Sequence, residues 1–573
     1  MKRRNKQTDI IQLVLSIVIL VFLNIISSYK FHRFDLTSEK RYTLSDATKK
    51  LLRNLNDVVY VKVYLEGEFP AGFKRLRNET KIMLDEFRAY SKGNMEYEFI
   101  NPSENPDKNQ QQQIYRQLYQ KGLKPTNLEV KEESGKSEQI IFPAALVSYG
   151  GKETPWQLFN AQAGVHPDVV LNNAVQALEY GFANALRNLQ MDIKPAIAFL
   201  DGHGELDSLR VMDITRTLKE YYEVSRVVLN ENLNALTERD SNMVRNKYKA
   251  IIIAKPDSGF TKKDQFIIDQ YIMHGGKVVW LLDMVYTNLD SLSRGFTIGL
   301  PNDMNLDEML FKYGVRINKN LIQDMQASYI LVNKALMGNQ PRWEVEPWLF
   351  NPLISPLNIH PIVNNLDLIK FEFASSIDTI KNKNVKKTIL LTTSKYARVV
   401  NTPARIALAM VNMKPDERMF HDSYMPVAVL LEGEFESLFK NRMDTLISKN
   451  KQIGFRDQSD STKMIVVSDG DVIKNIVQKS TGKFFPLGYD MTTEQTYGNK
   501  NFLLNCIDYL CDDSGLLSIR AKEVKLRLLD KKKIKTLRVK WQLINIIVPV
   551  LLVIVLGVIL FYIRKKKYST ILN

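Results

Sequence analysis

Cysteine is nearly missing from this chain: 573 residues contain Cys506 and Cys511 and no other. They sit five apart in NFLLNCIDYLC, a helical pattern that turns them to different faces, so neither a disulfide nor a metal-ligand pair is expected. Without a C-x-x-C, thiol redox chemistry is excluded. G-x-S-x-G and H-E-x-x-H are also absent, which removes the nucleophile-elbow hydrolases and the zinc proteases that carry those motifs. Gly135-Lys136-Ser137 imitates the end of a phosphate-binding loop, but the earlier glycine's place is taken by Val130 and the segment reads as a hairpin. The chain itself is therefore not expected to bind ATP. Among six histidines, His274 precedes Gly275-Gly276 and reads as a helix end, while His32, His166, His360 and His421 are isolated.

Excess charge is missing from most of the chain as well. The formal charge is +16, yet residues 1–9 carry +3 and residues 520–573 carry +12, leaving +1 for residues 10–519. A neutral body excludes nucleic acid as a partner. The basic residues flank two charge-free runs, Ile10 to Tyr29 (20 residues) and Trp541 to Ile563 (23 residues), each at the length of a membrane-crossing helix. Trp541, Phe561 and Tyr562 occupy interfacial positions, and anionic lipids suit the flanking cations. The first run has no A-x-A-like cleavage site after it, so an uncleaved anchor is expected. Four basic residues in each tail favour both tails in the cytoplasm with the body exported.

What lies between the anchors has α/β grammar. Ser45 reads as the N-cap of a helix. Val58 to Leu65, a helix carrying Phe73, Leu76, Met83 and Phe87, and Met95 to Ile100 make a β-α-β unit; a helix at Gln110–Gln120 and two strands joined at Ser134-Gly135 follow. This order predicts a thioredoxin-like N-terminal domain over 30–190. Strands at Ala196–Leu200, Val224–Leu229, Ala250–Ala254 and Val278–Leu282 then alternate with helices, the pattern of a flavodoxin-like parallel sheet, over 191–519. Five prolines from Pro341 to Pro361 mark 300–420 as an irregular insertion before strands resume at Val427–Leu431 and Met464–Val467. A basic segment, 520–540, leads into the second anchor and tail, 541–573, as 1–29 forms the first.

The densest polar cluster is Asp201-Gly202-His203-Gly204-Glu205, directly after the strand AIAFL, where ligands bind on such sheets. Asp201, His203 and Glu205 are candidate ligand-binding residues for a sugar or metal, or equally the caps of a tight strand-to-helix turn. One loop supplies no complete metal set, and none is assigned. Ser468-Asp469-Gly470-Asp471 is a second acidic strand exit that reads as a turn. Leu65-Glu66-Gly67-Glu68-Phe69 recurs as Leu431-Glu432-Gly433-Glu434-Phe435, shared strand-exit grammar rather than a duplication.

Taken together, Phe34-Asp35-Leu36-Thr37 with Arg41-Tyr42-Thr43-Leu44-Ser45, Gly202-His203-Gly204-Glu205, Val429-Leu430-Leu431-Glu432-Gly433 and Gly498-Asn499-Lys500-Asn501-Phe502 resemble the GldG family, the auxiliary component of the gliding-motility ABC transporter of Bacteroidetes. The resemblance implies an inner-membrane protein with a periplasmic body, partnered by a separate ATPase and a separate permease. It also implies that the sheet domain is like class I glutamine-amidotransferase domains, for which carbohydrate binding is suggested; the nucleophilic cysteine of those enzymes has no counterpart here. The expectation is a non-catalytic, cofactor-free auxiliary subunit. A membrane-tethered glycan-acting enzyme and a purely structural scaffold are the alternatives.

Overall fold

The computed structural model describes residues 6–29, 43–132, 135–159, 167–191, 193–240, 243–287, 292, 295–334, 342–357, 360–364, 366–413, 415–444, 446, 450, 453–478, 480–512 and 531–569. The chain forms two compact units, residues 1–523 and 524–573. Phe34 to Thr37, Arg41 and Tyr42 lie outside the described residues, as do His32, Ser134 and His166.

In the first unit, helix α1 spans Lys6–Tyr29, with an apolar stretch Ile10–Phe22 among its described residues. Helix α2 (Asp46–Arg53) starts where the sequence places it: Ser45 Oγ accepts from Thr48 N at 3.1 Å, the N-cap bond. Strand β1 (Val59–Val63) alternates buried and half-buried residues, with α3 (Ala71–Tyr90) leading to β2 (Met95–Phe99). Then come α4 (Lys108–Gln120), the hairpin β3 (Thr126–Glu132) and β4 (Gly135–Ile141), β5 (Ala144–Tyr149), β6 (Lys152–Gln157) and α5 (Pro167–Gln190). The sheet order is β2-β1-β5-β6, with β1 and β2 parallel and the other neighbours antiparallel. Apolar residues of α3 and α5 at helical spacing bury against it, and Phe87 stacks on Phe182 with ring centroids 4.3 Å apart.

The larger sheet begins with β7 (Ala196–Asp201), α6 (Met212–Tyr221) and β8 (Glu223–Val228). A small hairpin, β9 (Thr237–Asp240) and β10 (Met243–Asn246), precedes β11 (Ala250–Ala254), α7 (Lys262–Met273) and β12 (Lys277–Leu281). β11 reads AIIIA and is buried at every position, as a central parallel strand covered on both faces must be.

Between β12 and the rest of this sheet lies a segment of different character. It holds β13 (Val285–Tyr286), β14 (Phe296–Pro301), helix α8 (Asp307–Tyr313), β15 (Val315–Ile317), β16 (Asn320–Asp324), β17 (Ala327–Asn333), β18 (Trp343–Ile354), β19 (Ile369–Lys370) and β20 (Ile377–Thr379). After β21 (Val385–Thr392) come β22 (Ala397–Asn401) and β23 (Ala404–Ala407). The irregular insertion expected over 300–420 is therefore corrected to a set of short paired strands. Their partners are remote in sequence, as with β14 and β23 or β16 and β22, so local alternation is too brief to register. Pro347 and Pro352 lie inside β18, where the β17 pairing shifts register, the place a sheet tolerates them.

β24 (Pro426–Gly433), β25 (Thr462–Val467) and helix α9 (Asn499–Cys511) complete the large sheet, whose order is β21-β24-β25-β12-β11-β7-β8. The five strands from β25 to β8 are parallel. β24 and β21 add antiparallel edges, so the expected all-parallel sheet is a mixed one. One core packs Phe199, Ile252 and Ile465 against α6 and α9, where Cys506 and Cys511 are buried and form no disulfide; the other packs Trp280, Ile253 and Val466 against α7 and α8.

The second unit holds α10 (Lys531–Ser569), 39 residues with Pro549 inside. Its stretch Lys540–Lys566, 27 residues, is long and apolar enough to cross a membrane. The basic run that reads as a juxtamembrane segment is thus, from Lys531, helical backbone continuous with that stretch.

Candidate functional site

Parallel strands deliver their first charged residues to one edge. At the carboxyl ends of β7, β11, β12 and β25 these are Asp201, Lys255, Asp283 and Asp469, each after an apolar run. Around them the edge carries two clusters.

The first is the loop after β7. Asp201 receives a two-pronged bond from Arg226 of β8, with Arg226 Nε at 2.6 Å, and the same guanidinium donates to Leu206 O at 2.7 Å. His203 is 6% exposed and stacks on Phe260, centroids 3.9 Å apart. Its Nε2 lies 3.2 Å from Asp264 Oδ2 and its Nδ1 3.4 Å from Glu205 Oε1, while its backbone N–H donates to Glu205 Oε2 at 2.7 Å. The His203 carbonyl accepts from Asp257 N and Ser258 N. Asp264, in the first turn of α7, also accepts from Thr261 Oγ1 and Glu231 N. The loops after β7, β8 and β11 are therefore tied through one imidazole and its two carboxylates. Gly204 has φ +77°, a left-handed backbone conformation that favours glycine.

Burial pulls the His203 imidazole toward its neutral form, but the hydrogen bonds and charges of Glu205 and Asp264 outweigh it, and the pKa is raised. A folded-state pKa above the unfolded value of about 6.5 stabilises the fold fully below that pH, and the contribution is lost as pH rises through the folded value. The stability difference between the native chain and His203→Gln is therefore expected to be largest below pH ~6.5 and to shrink at higher pH. Denaturant unfolding of the detergent-solubilised chain across pH checks it; a difference that grows with pH would contradict the assignment.

The second cluster joins β11, β12 and the loop after β25. Lys255, held at φ +55°, places Nζ 2.9 Å from Asp283 Oδ2 and in direct contact with Asp471, which also receives Lys474 Nζ at 2.8 Å. Asp283 accepts from Gly470 N at 2.5 Å, and Asp469 accepts from Glu372 N at 2.6 Å and Asp471 N at 2.7 Å. Burial and the neighbouring carboxylates push Asp469 well above the usual carboxylate range. Asp471 is buried too, yet Lys255 and Lys474 hold it down at about 2. Asp283, Asp469 and Asp471 bring carboxylate oxygens within 4.8 Å of one another, the one such grouping among the described residues. The Lys255 ammonium already bonds to two of the three, serving as the cation their charge calls for.

Of the residues singled out in the sequence, His203 and Glu205 come together, and Asp201 joins Arg226 instead. Lys255 and Asp283 escaped notice because each is a lone charge after a strand; the signal is that four of the five parallel strands, all but β8, exit into one.

Two solved structures align with part of this chain. The mmIFT52 N-terminal domain, 13% identical, covers 55% of this chain and 98% of its own, at a TM-score of 0.31. A thua-like protein from Parabacteroides merdae, 10% identical, covers 56% and 90%, at 0.24. An uncharacterized protein of Borreliella burgdorferi is 23% identical over 578 residues, covering 98% of this chain and 99% of that one. Residues 38–148 match a domain of unknown function. Residues 194–506, more than half of the chain and nearly all of the large-sheet domain, match the family described as an ABC-type uncharacterized transport system, and the chain belongs to that auxiliary transport family.

Proposed function

We propose that this chain is a non-catalytic auxiliary subunit of an ABC transport complex, working with an ATPase and a permease supplied by separate chains. The family match over residues 194–506 carries the reading, and a bilayer-length helix at Lys540–Lys566 in the same chain fits it. The finer reading follows the GldG resemblance: a complex of the inner membrane serving gliding motility, with α1 as a second anchor, both tails cytoplasmic and residues 30–519 in the periplasm. In this reading 30–190 is a thioredoxin-like domain, supported by the β2-β1-β5-β6 order and its mix of parallel and antiparallel neighbours. Residues 191–519 form the auxiliary domain, and the basic residues of 520–540 meet anionic lipid. A carbohydrate would be met at the carboxyl edge by Asp201, His203 and Glu205, on the loop that follows β7.

Affinity purification of the tagged full chain from mild-detergent membranes should recover an ABC ATPase and a multi-span permease in fixed ratio. Recovery of the chain without either would refute the proposal. For topology, a cysteine placed at position 150 should react with a membrane-impermeant thiol reagent in spheroplasts while cysteines at positions 2 and 570 stay shielded; the opposite pattern inverts the orientation.

A further inference from the structure

Antiparallel sheets that cover a core on one side ordinarily turn polar side chains to water on the other. The three-stranded sheet β13-β14-β23 does not. Its inner face gives Val285, Ala404 and Ile406 to a satellite core with Trp348 and Phe350. Its outer face shows Phe296, Ile298 and Leu300, 49%, 50% and 48% exposed, on alternate positions of β14, with Tyr286, 61% exposed, directly across from Leu300. Alternate strand positions repeat every ~7 Å, so the three form a stripe ~14 Å long. Arg405, exposed and paired across the strands with Ile298, lays its guanidinium 5.0 Å from the Phe296 ring centre and meets no carboxylate among the described residues.

We propose that this face docks a segment of another protein that carries apolar side chains and one carboxylate placed for Arg405. Aromatic and arginine side chains on an apolar ground are the composition of interface centres, and an unpaired guanidinium calls for a bidentate acid. Charge decides among occupants. A lipid surface is recognised by clustered cations, and the described residues of this face supply one. A symmetric second copy would set Arg405 near its own equivalent with no acid among the described residues of either face. The inference rests on the proposed membership of a complex, and names the surface through which a partner is held.

The test is a photo-crosslinking residue at position 298 in the full chain, in its own membranes, with the adduct identified by peptide sequencing. The expected adduct is a peptide of a different protein with apolar residues beside an Asp or Glu. Arg405→Glu should lower its yield at least tenfold, and lysine at the partner's acid should restore it. Arg405→Gln should weaken it too, with thermal unfolding of the chain unchanged. Adducts to lipid alone, to a second copy, or to nothing overturn the proposal, as does an Arg405→Glu yield equal to the native one. If affinity purification recovers ATPase and permease while position 298 gives no adduct, this face fails and the transport reading stands. If an acid-bearing partner appears without ABC subunits, the reverse holds.

Discussion

Lys255→Met is expected to destabilise the large-sheet domain by about 3–5 kcal/mol, the scale of removing one partner from a buried ion pair. Asp283 and Asp471 would lose the ammonium they share, with Lys474 reaching Asp471 alone. The pH dependence gives a second reading of the same variant. Asp471 is held down at about 2 in the native chain, so its contribution is present above its unfolded value of ~3.9 and disappears as pH falls through 2. Lysine removal relaxes that depression. The gap between native and variant chains should narrow as pH drops from 6 toward 3, measured by denaturant unfolding in detergent. A gap independent of pH would mean that Lys255 acts by packing its stem, not by its charge.

Gly433→Ala is expected to cost about 2–5 kcal/mol, from strained backbone and overpacking together. Gly433 ends β24 at φ +144°, and a Cβ there would stand 2.1 Å from the backbone carbonyl oxygen of Asn384, beside β21. Backbone in a paired strand cannot swing aside as a side chain can. The recurring Leu-Glu-Gly-Glu-Phe supplies an internal control. Gly67 has nearly the same φ, +139°, but the nearest atom to its Cβ is a side-chain nitrogen of Asn101 at 3.5 Å, ordinary contact. Gly67→Ala should therefore cost only the backbone strain, about 1–3 kcal/mol. Equal losses at the two sites, compared by thermal unfolding, would show that the close approach at Asn384 contributes nothing.

Much of the architecture could be read directly because it is written in local pattern. Ala250–Ala254 and Val278–Leu282 are recognisable as strands from their apolar runs, Ser45 as an N-cap from residue type, and Trp541–Ile563 as a bilayer-length run from its lack of charge. The candidate site was half legible. Asp201-Gly202-His203-Gly204-Glu205 stands out because five unusual residues are adjacent, but adjacency says nothing about what each side chain meets. Arg226, Asp264 and Phe260, which occupy Asp201 and His203, arrive from β8, the start of α7 and the loop before it.

What the sequence by itself determined was the neutral body, the sites of the charged flanks, the α/β alternation and the strand exits, all properties of residues within a few positions of one another. Tertiary structure alone decided that β24 and β21 close the sheet antiparallel, that β13 to β20, β22 and β23 pair among themselves, and that Lys255, Asp283, Asp469 and Asp471 form one cluster. The reason is geometric. Strand pairing and ion pairing depend on distances of a few ångströms between residues tens to hundreds of positions apart, and local periodicity carries no record of which exits face each other.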